Sequence, residues 1–184
     1  MPGSEFLDKK LSRRFETYDL DDNGVVERTD FVRAAERMAQ EFGHAPASPE
    51  IRTLKERLGA VWNSLAEAAD KDRDGRLTES EFKNAFHTKV IADDEGFRTL
   101  YEPFIQAAMD IADTDKDGRL GLDEHVRWYK ALMGIPEEHS TAAFRKLDRN
   151  EDGYVTREEI LAAVREYYFS EDPDAPGNSL LGPV

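Results

Sequence analysis

Four twelve-residue segments repeat one pattern of acids around a fixed glycine, and they constrain the fold of this chain more than any other feature. They read DLDDNGVVERTD (residues 19–30), DKDRDGRLTESE (70–81), DTDKDGRLGLDE (113–124) and DRNEDGYVTREE (148–159). Acidic or amide side chains alternate at positions 1, 3 and 5, glycine stands at position 6, and an acid closes position 12. No apolar stripe can run through such alternation. Something other than a hydrophobic core must therefore bring these acids together.

Amphipathic helices are predicted on both sides of the segments, because apolar residues there recur at spacings of three and four. After the first segment the apolar stripe consists of Phe31, Ala34, Ala35, Met38 and Phe42. Before the third it consists of Phe97, Leu100, Tyr101, Phe104, Ala108 and Ile111. Pro103 is expected to kink or start that helix, since proline lacks an N–H donor. Each acidic segment is thus predicted to be a loop between two helices.

The repeated template matches the EF-hand calcium loop. Side-chain oxygens at positions 1, 3, 5 and 12 surround the ion, position 7 offers its backbone carbonyl, and glycine at position 6 permits a sharp turn. Position 8 is apolar in all four loops, which predicts that paired loops meet in a short antiparallel bridge. The predicted calcium ligands are Asp19, Asp21, Asn23, Val25, Asp30, Asp70, Asp72, Asp74, Arg76, Glu81, Asp113, Asp115, Asp117, Arg119, Glu124, Asp148, Asn150, Asp152, Tyr154 and Glu159.

The four loops differ in charge, so their ions are expected to differ. The second and third loops have four carboxylates each, and the fourth replaces one acid by Asn150. The first loop has Asn23 at position 5 and the shorter Asp30 at position 12. A shorter arm binds through one oxygen, which six-coordinate Mg²⁺ tolerates better than seven-coordinate Ca²⁺. We expect three or four Ca²⁺ ions, with a mixed Ca²⁺/Mg²⁺ site in the first loop.

The spacing of the loops is uneven, falling from 51 to 43 to 35 residues between starts at 19, 70, 113 and 148. With the aspartate at residue 30 and the run YYFSEDPDAPGN (residues 167–178), this pattern resembles the calerythrin and sarcoplasmic calcium-binding protein family. The resemblance implies an all-α globule of four EF-hands that buffers or carries calcium. The second loop is often degenerate in that family, whereas here it is intact.

The chain is predicted to form two paired lobes that pack into one compact globule. The N-terminal pair is placed at residues 1–91, the C-terminal pair at 92–170 and a tail at 171–184. No long linker separates the two pairs, which favours packed lobes over a dumbbell. For the tail, with Leu180, Leu181 and Val184, two structures stay open: a frayed end, or a plug that folds over the hydrophobic cleft.

Composition excludes several classes of function. A formal net charge of −14 disfavours binding to nucleic acid or to anionic lipid. No cysteine is present, so disulfides and thiolate metal sites are absent. No signal peptide, membrane anchor or phosphate-binding loop is recognisable. We expect a cytoplasmic, monomeric, non-enzymatic protein whose protein target, if any, is unknown.

Two other functions remain open at this stage. A calcium sensor would expose a methionine-rich groove, but only Met38, Met109 and Met133 follow the first residue. A photoprotein or luciferin-binding-like carrier would keep a ligand cavity, and HVRWY (residues 125–129) places His125, Trp128 and Tyr129 on one helix. Packing in the core is the favoured role for these three residues.

Overall fold

The fold is an all-helical arrangement in which four helix-loop-helix units follow one another along the chain. A computed structural model describes residues 5–90 and 94–183. The first two units use α1 (Glu5–Tyr18) with α2 (Arg28–Glu41), and α3 (Pro49–Ala69) with α4 (Glu79–Ala85). The last two, after the short α5 (Asp94–Gly96), use α6 (Glu102–Ala112) with α7 (Leu122–Met133), and α8 (Glu137–Leu147) with α9 (Arg157–Phe169). The predicted all-α fold is confirmed.

Short antiparallel strands join the loops in pairs. Strand β1 (Val26–Glu27) pairs with β2 (Arg76–Leu77), and β3 (Arg119–Leu120) pairs with β4 (Val155–Thr156). The position-8 residues face one another as predicted, Val26 opposite Leu77 and Leu120 opposite Val155, and all four are fully buried. The register of the loops is therefore fixed by an apolar residue as well as by the acids.

The two pairs of units share one hydrophobic core. Helix α2 packs against α7, and α3 packs against α6. Across the same interface the rings of Phe86 and Tyr168 lie 5.2 Å apart, and the Tyr18 and Tyr101 hydroxyls are 2.9 Å apart. These contacts agree with packed lobes rather than a dumbbell. The predicted boundary between residues 91 and 92 lies outside the described residues.

Pro103 lies in the first turn of α6, which agrees with the prediction that it kinks or starts the helix before the third loop. The segment Phe97–Tyr101 forms a turn of π-helix that runs directly into α6, where Pro103 is in the first turn. The widened turn contains a Glu102 amide that donates to the Phe97 carbonyl, five residues back. A π-turn absorbs the local disruption that proline causes.

The C-terminal tail folds back onto the globule. Pro176–Ser179 form a 3₁₀ turn, and the following Leu180 and Leu181 are buried, at 6% and 1% exposure. Arg13 Nε donates to the Leu181 carbonyl at 2.8 Å. The plug interpretation is thus the correct one for Leu180 and Leu181, while Val184 lies outside the described residues.

Among the described residues, no helix has the length and apolar character needed to cross a membrane.

Lys10 is a fully buried cation that ties α1 to the end of α9. Its Nζ donates to the carbonyls of Tyr167 and Ser170, both at 2.9 Å, and the Tyr167 hydroxyl donates to the Lys10 carbonyl at 2.6 Å. Burial lowers the pKa of the Lys10 amine. A cation at a helix C-terminus is favourable, because it satisfies carbonyls that lack partners within the helix.

Replacing Lys10 by methionine is expected to destabilise the protein by about 2–3 kcal/mol, because two carbonyls lose a charged donor. Urea unfolding in saturating calcium measures the change. Lys9→Met is the matched control, since the Lys9 side chain is 61% exposed and its change should stay within about 0.5 kcal/mol. Equal effects of the two substitutions would contradict the capping role.

Candidate metal centres

The first residue of each loop organises the backbone around it. In all four loops one carboxylate oxygen of position 1 accepts the amide of position 5 at 3.0–3.2 Å. The other oxygen accepts the amide of the glycine at position 6 at 2.8–3.1 Å. The position-5 side chain in turn accepts the amide of position 7 at 2.8–3.0 Å. The four repeated segments thus coil in the same way.

Two left-handed residues produce this coil in each loop. The glycines at position 6 have φ between 76° and 87°, as the turn requires. Position 4 is also left-handed, with φ between 55° and 61° at Asp22, Arg73, Lys116 and Glu151. Sequence reasoning missed position 4. Aspartate tolerates this conformation, but arginine, lysine and glutamate give no such signal, and each costs roughly 1–2 kcal/mol there.

Acidic oxygens converge in the first three loops. One oxygen from each acid lies within 4.8 Å of the others in three groups, which are Asp19/Asp21/Asp30, Asp70/Asp72/Asp74 and Asp113/Asp115/Asp117. The fourth loop has the corresponding hydrogen bonds with an amide at position 3, where Asn150 Oδ1 accepts the Asp152 amide at 3.1 Å. An all-oxygen set of this kind fits the hard cations Ca²⁺ and Mg²⁺.

The glutamates at position 12 of the last two loops reach back across their loops. Glu124 Oε1 accepts the Thr114 amide at 2.7 Å, and Glu159 Oε1 accepts the Arg149 amide at 3.1 Å. The second oxygen of each accepts the amide of position 9, which joins the loop to the next helix. Burial opposes ionisation of Glu124, but hydrogen bonds from Thr114 and from the Gly121 amide hold its pKa below the usual value.

Asp30, at position 12 of the first loop, is a buried acid with one oxygen unused. Its Oδ2 accepts the Glu27 amide at 2.8 Å, whereas Oδ1 has no hydrogen-bond partner among the described residues. Burial raises the pKa of Asp30. An unsatisfied buried carboxylate oxygen is costly. One oxygen of Asp30 groups with oxygens of Asp19 and Asp21, so a divalent cation held by the three acids would relieve this cost, and the residues present fit such an ion.

Arginines contact several of the acids, which the sequence did not predict. Arg33 pairs with Asp21 in the first loop and lies 4.0 Å from Asp30. Arg119 Nε donates to Asp117 at 2.9 Å, and its Nη1 lies 4.0 Å from Asp152 of the neighbouring loop. These contacts lower the pKa of Asp21 and of Asp117, chiefly through the hydrogen bond from each arginine. A guanidinium in this position competes with a metal ion for the same oxygens.

Replacing Arg33 by glutamine is expected to raise the metal affinity of the first loop about twofold to fivefold, because the competing guanidinium is exposed and solvent screens its attraction to Asp21. Calorimetric titration with Ca²⁺ measures the change. Arg28→Gln, at an exposed position on the same helix, removes the same charge and serves as the control. Equal affinities in the two variants would exclude direct competition.

His125 packs in the core, as the favoured interpretation of HVRWY predicted. Its side chain is fully buried, and its ring lies 4.0 Å from the Tyr129 ring and 5.3 Å from the Phe144 ring. Burial lowers its pKa to about 3, so the imidazole is neutral at physiological pH. The residue therefore takes the place that Phe31, Phe82 and Ile160 occupy after the other loops.

Comparison with known families agrees with the geometry of the loops. The EF-hand domain pair matches residues 8–87 and 55–130, and the EF-hand domain matches residues 141–169. Together these matches include all four loops.

Similar proteins cover nearly the whole chain. Calerythrin of Saccharopolyspora erythraea is 32% identical over 87% of this chain and 90% of its own length. The sarcoplasmic calcium-binding protein beta chain of Penaeus sp. is 34% identical over 91% of this chain and 90% of its own. A solved calcium-binding protein of Streptomyces coelicolor is 34% identical, with a TM-score of 0.78 over 90% of this chain and 99% of that one. The chain therefore belongs to the EF-hand family of calcium-binding proteins, as a homologue of calerythrin and of the sarcoplasmic calcium-binding proteins.

Proposed function

We propose that this protein is a cytoplasmic calcium buffer or carrier that binds four ions. Each loop supplies the side chains at positions 1, 3, 5 and 12 and the carbonyl at position 7. Three observations support the proposal: the four loops share one set of internal hydrogen bonds, the acids of the first three loops converge, and homologues of the family bind calcium. No catalytic activity is part of the proposal.

The covered hydrophobic surface is the observation that carries the buffer interpretation. A sensor works by presenting an apolar groove to its target. Here the tail leucines, Leu180 and Leu181, cover the apolar groove. The exposed large hydrophobic residues in the described ranges are Val32, Leu122 and Phe169, and they lie on three different helices. A closed surface of this kind suits a protein that releases or takes up ions without binding a partner, and it favours a monomer.

The first loop is proposed as the mixed Ca²⁺/Mg²⁺ site. Its position-12 acid offers one free oxygen, Asp30 Oδ1, because Oδ2 is engaged with the Glu27 amide. One oxygen at this position favours six-coordination, which Mg²⁺ requires and Ca²⁺ merely accepts. Competition by millimolar Mg²⁺ for one of four calcium sites is the expected result, and calorimetry without such competition would contradict it.

The domain division proposed from the sequence places two pairs of EF-hands at residues 1–91 and 92–170, with the tail at 171–184. The pairing of loops through β1–β2 and β3–β4 supports this grouping. Each pair would then bind its two ions together, because the paired strands couple the two loops directly.

A titration from chelator to calcium tests the proposed function. Metal stoichiometry and helix content are followed together, and the calcium-loaded protein is then passed over a phenyl resin. Four ions, a large gain of helix and no retention support a buffer that folds around its ions. Calcium-dependent retention would instead support a sensor.

The alternatives have specific observations behind them. The similar protein of Streptomyces coelicolor is described as part of prokaryotic calcium-mediated regulation, which makes the sensor the main alternative. A luciferin-binding-like carrier needs a ligand cavity beside Trp128 and Tyr129. The cavity there measures about 20 Å³, room for about one water molecule, so a large ligand would have to displace the tail.

A further inference from the structure

Arg14 is a buried cation without a counter-charge. Its side chain is only 4% exposed, and its Nη2 donates to the hydroxyls of Tyr18 at 2.7 Å and Tyr101 at 3.4 Å. Its Nη1 contacts the sulfur of Met133 at 3.6 Å. Within the described residues no carboxylate lies within 4.0 Å of the guanidinium, and Nε has no hydrogen-bond partner. An uncompensated buried charge of this kind costs several kcal/mol.

The surrounding phenols cannot supply the missing negative charge. Burial raises the pKa of Tyr101, Tyr129 and Tyr168 well above the usual value, so these three phenols stay protonated. Arginine remains charged at any physiological pH. The cluster thus carries a net charge of one positive unit inside an apolar core.

A small cavity adjoins this cluster, and three of the residues that line it have an unused hydrogen-bond donor. It measures about 20 Å³, and Arg14, Trp128, Tyr129 and Tyr168 are among the residues that line it. Trp128 Nε1 and the Tyr129 hydroxyl, like Arg14 Nε, have no hydrogen-bond partner among the described residues. Two of these three groups can only donate. A ligand that only accepts hydrogen bonds suits them better than water, which must also donate.

The carboxylate of Asp30 could act as a distant counter-charge to the Arg14 guanidinium, in place of a bound anion. It shares with Arg14 the lining of a second cavity of about 10 Å³, which is at the lower limit for one water molecule. One oxygen of Asp30 groups with oxygens of Asp19 and Asp21 in the first loop. A divalent cation bound by these three acids would attract the Asp30 carboxylate and so weaken its compensation of Arg14.

We propose that the first cavity, of about 20 Å³, binds one monovalent anion of halide size, held by Arg14, Trp128 and Tyr129. A halide is only slightly larger than a water molecule, accepts hydrogen bonds in any direction and neutralises the guanidinium. The tail residues Leu180 and Leu181 line the same cavity, so the ion would be enclosed when the tail docks. The anion would act as a structural ion that links α1, α7 and the C-terminal tail.

Bromide is the probe for the site, because it scatters anomalously and resembles chloride. Crystals of the calcium-loaded protein grown in sodium bromide should show one anomalous peak between Arg14 and Trp128. In solution the calcium-loaded protein should melt about 3–5 °C higher in potassium chloride than in potassium methanesulfonate of equal ionic strength. A rise of this size is expected when the chloride concentration is about ten times the dissociation constant of the site. Methanesulfonate is too large for the cavity.

Two substitutions separate this site from general salt effects. Trp128→Phe removes one donor and keeps an aromatic ring, so the chloride-specific rise should fall by at least half. Trp62→Phe is the matched control, since Trp62 does not line the cavity, and it should keep the full rise. Arg14→Met should abolish the chloride-specific rise. If the Arg14→Met protein does not fold, Trp128→Phe still tests the proposal.

Three results would overturn the proposal. The first is an ordered water molecule in the cavity with no anomalous signal. The second is an unchanged chloride-specific rise in Trp128→Phe, which would place the ion elsewhere. The third is an equal melting temperature of the unaltered protein in both salts. None of these results bears on calcium stoichiometry, so the site can fail while the proposed function stands.

Discussion

Replacing Glu124 by glutamine is expected to lower the calcium affinity of the third loop by about 100-fold or more, because the charge and number of ligands tune dissociation constants over several decades. The substitution keeps the length of the side chain and an oxygen that can still accept the Thr114 or Gly121 amide. Only the negative charge and the second acceptor are lost. Calorimetric titration against a competing chelator should therefore find one fewer tight site.

Asp123→Asn is the matched control for that experiment, because it removes the same charge from the neighbouring residue. The Asp123 side chain is 86% exposed and lies 3.7 Å from the side chain of Arg127, a residue that follows the loop. Its effect on calcium affinity should stay within about twofold, as general surface electrostatics is weak. Equal losses in the two variants would mean that net charge, rather than coordination by Glu124, controls binding.

Replacing Gly177 by alanine is expected to undock the C-terminal tail. A Cβ at this position would lie 2.5 Å from the Ala163 carbonyl oxygen and 2.6 Å from the Glu166 Cβ. Neither atom is the end of a flexible side chain, so the tail itself must move. Leu180 and Leu181 then lose their burial, and the free energy of unfolding should fall by about 2–4 kcal/mol. Urea unfolding in saturating calcium measures the loss.

The same variant should also expose the residues that the tail covers. Calcium-loaded Gly177→Ala protein should bind a hydrophobic dye and a phenyl resin that the unaltered protein does not bind. Gly59→Ala is the control, because nothing lies within 4 Å of a Cβ there, and alanine in the middle of α3 should stabilise the helix by up to about 1 kcal/mol. A Gly177→Ala protein as stable as the unaltered one would show that the tail does not contribute to the closed surface.

The loops were readable from the sequence because a coordination site of this kind is local. Twelve consecutive residues contain the acids, the glycine and the apolar residue that sets the register, so spacing alone predicts how they converge. The pairing of Val26 with Leu77 and of Leu120 with Val155 followed from the same register and is confirmed. Which ion fills which loop stays a prediction, since it depends on rigidity and on small differences in ligand geometry.

Other features could not be predicted, because no pattern of residue types in the sequence signals them. Pro103 is in the first turn of α6, one of the two predicted possibilities, but only the backbone path reveals the π-turn that precedes it. The left-handed position 4 is held by the coil of each loop at residues with no preference for it. Arg33 reaches Asp21 from the next helix, a contact that spacing along the chain does not specify.

The sequence by itself determined four loops of the EF-hand pattern, an all-helical fold and the apolar bridge between paired loops, because these depend on contacts within or beside one short motif. Only the tertiary structure decided that the tail is a plug rather than a frayed end, and that Arg14 is buried among neutral phenols beside a cavity. Both depend on packing between α1, α7, α9 and residues 176–181. Such packing follows from the shape of the whole core, which no local pattern records.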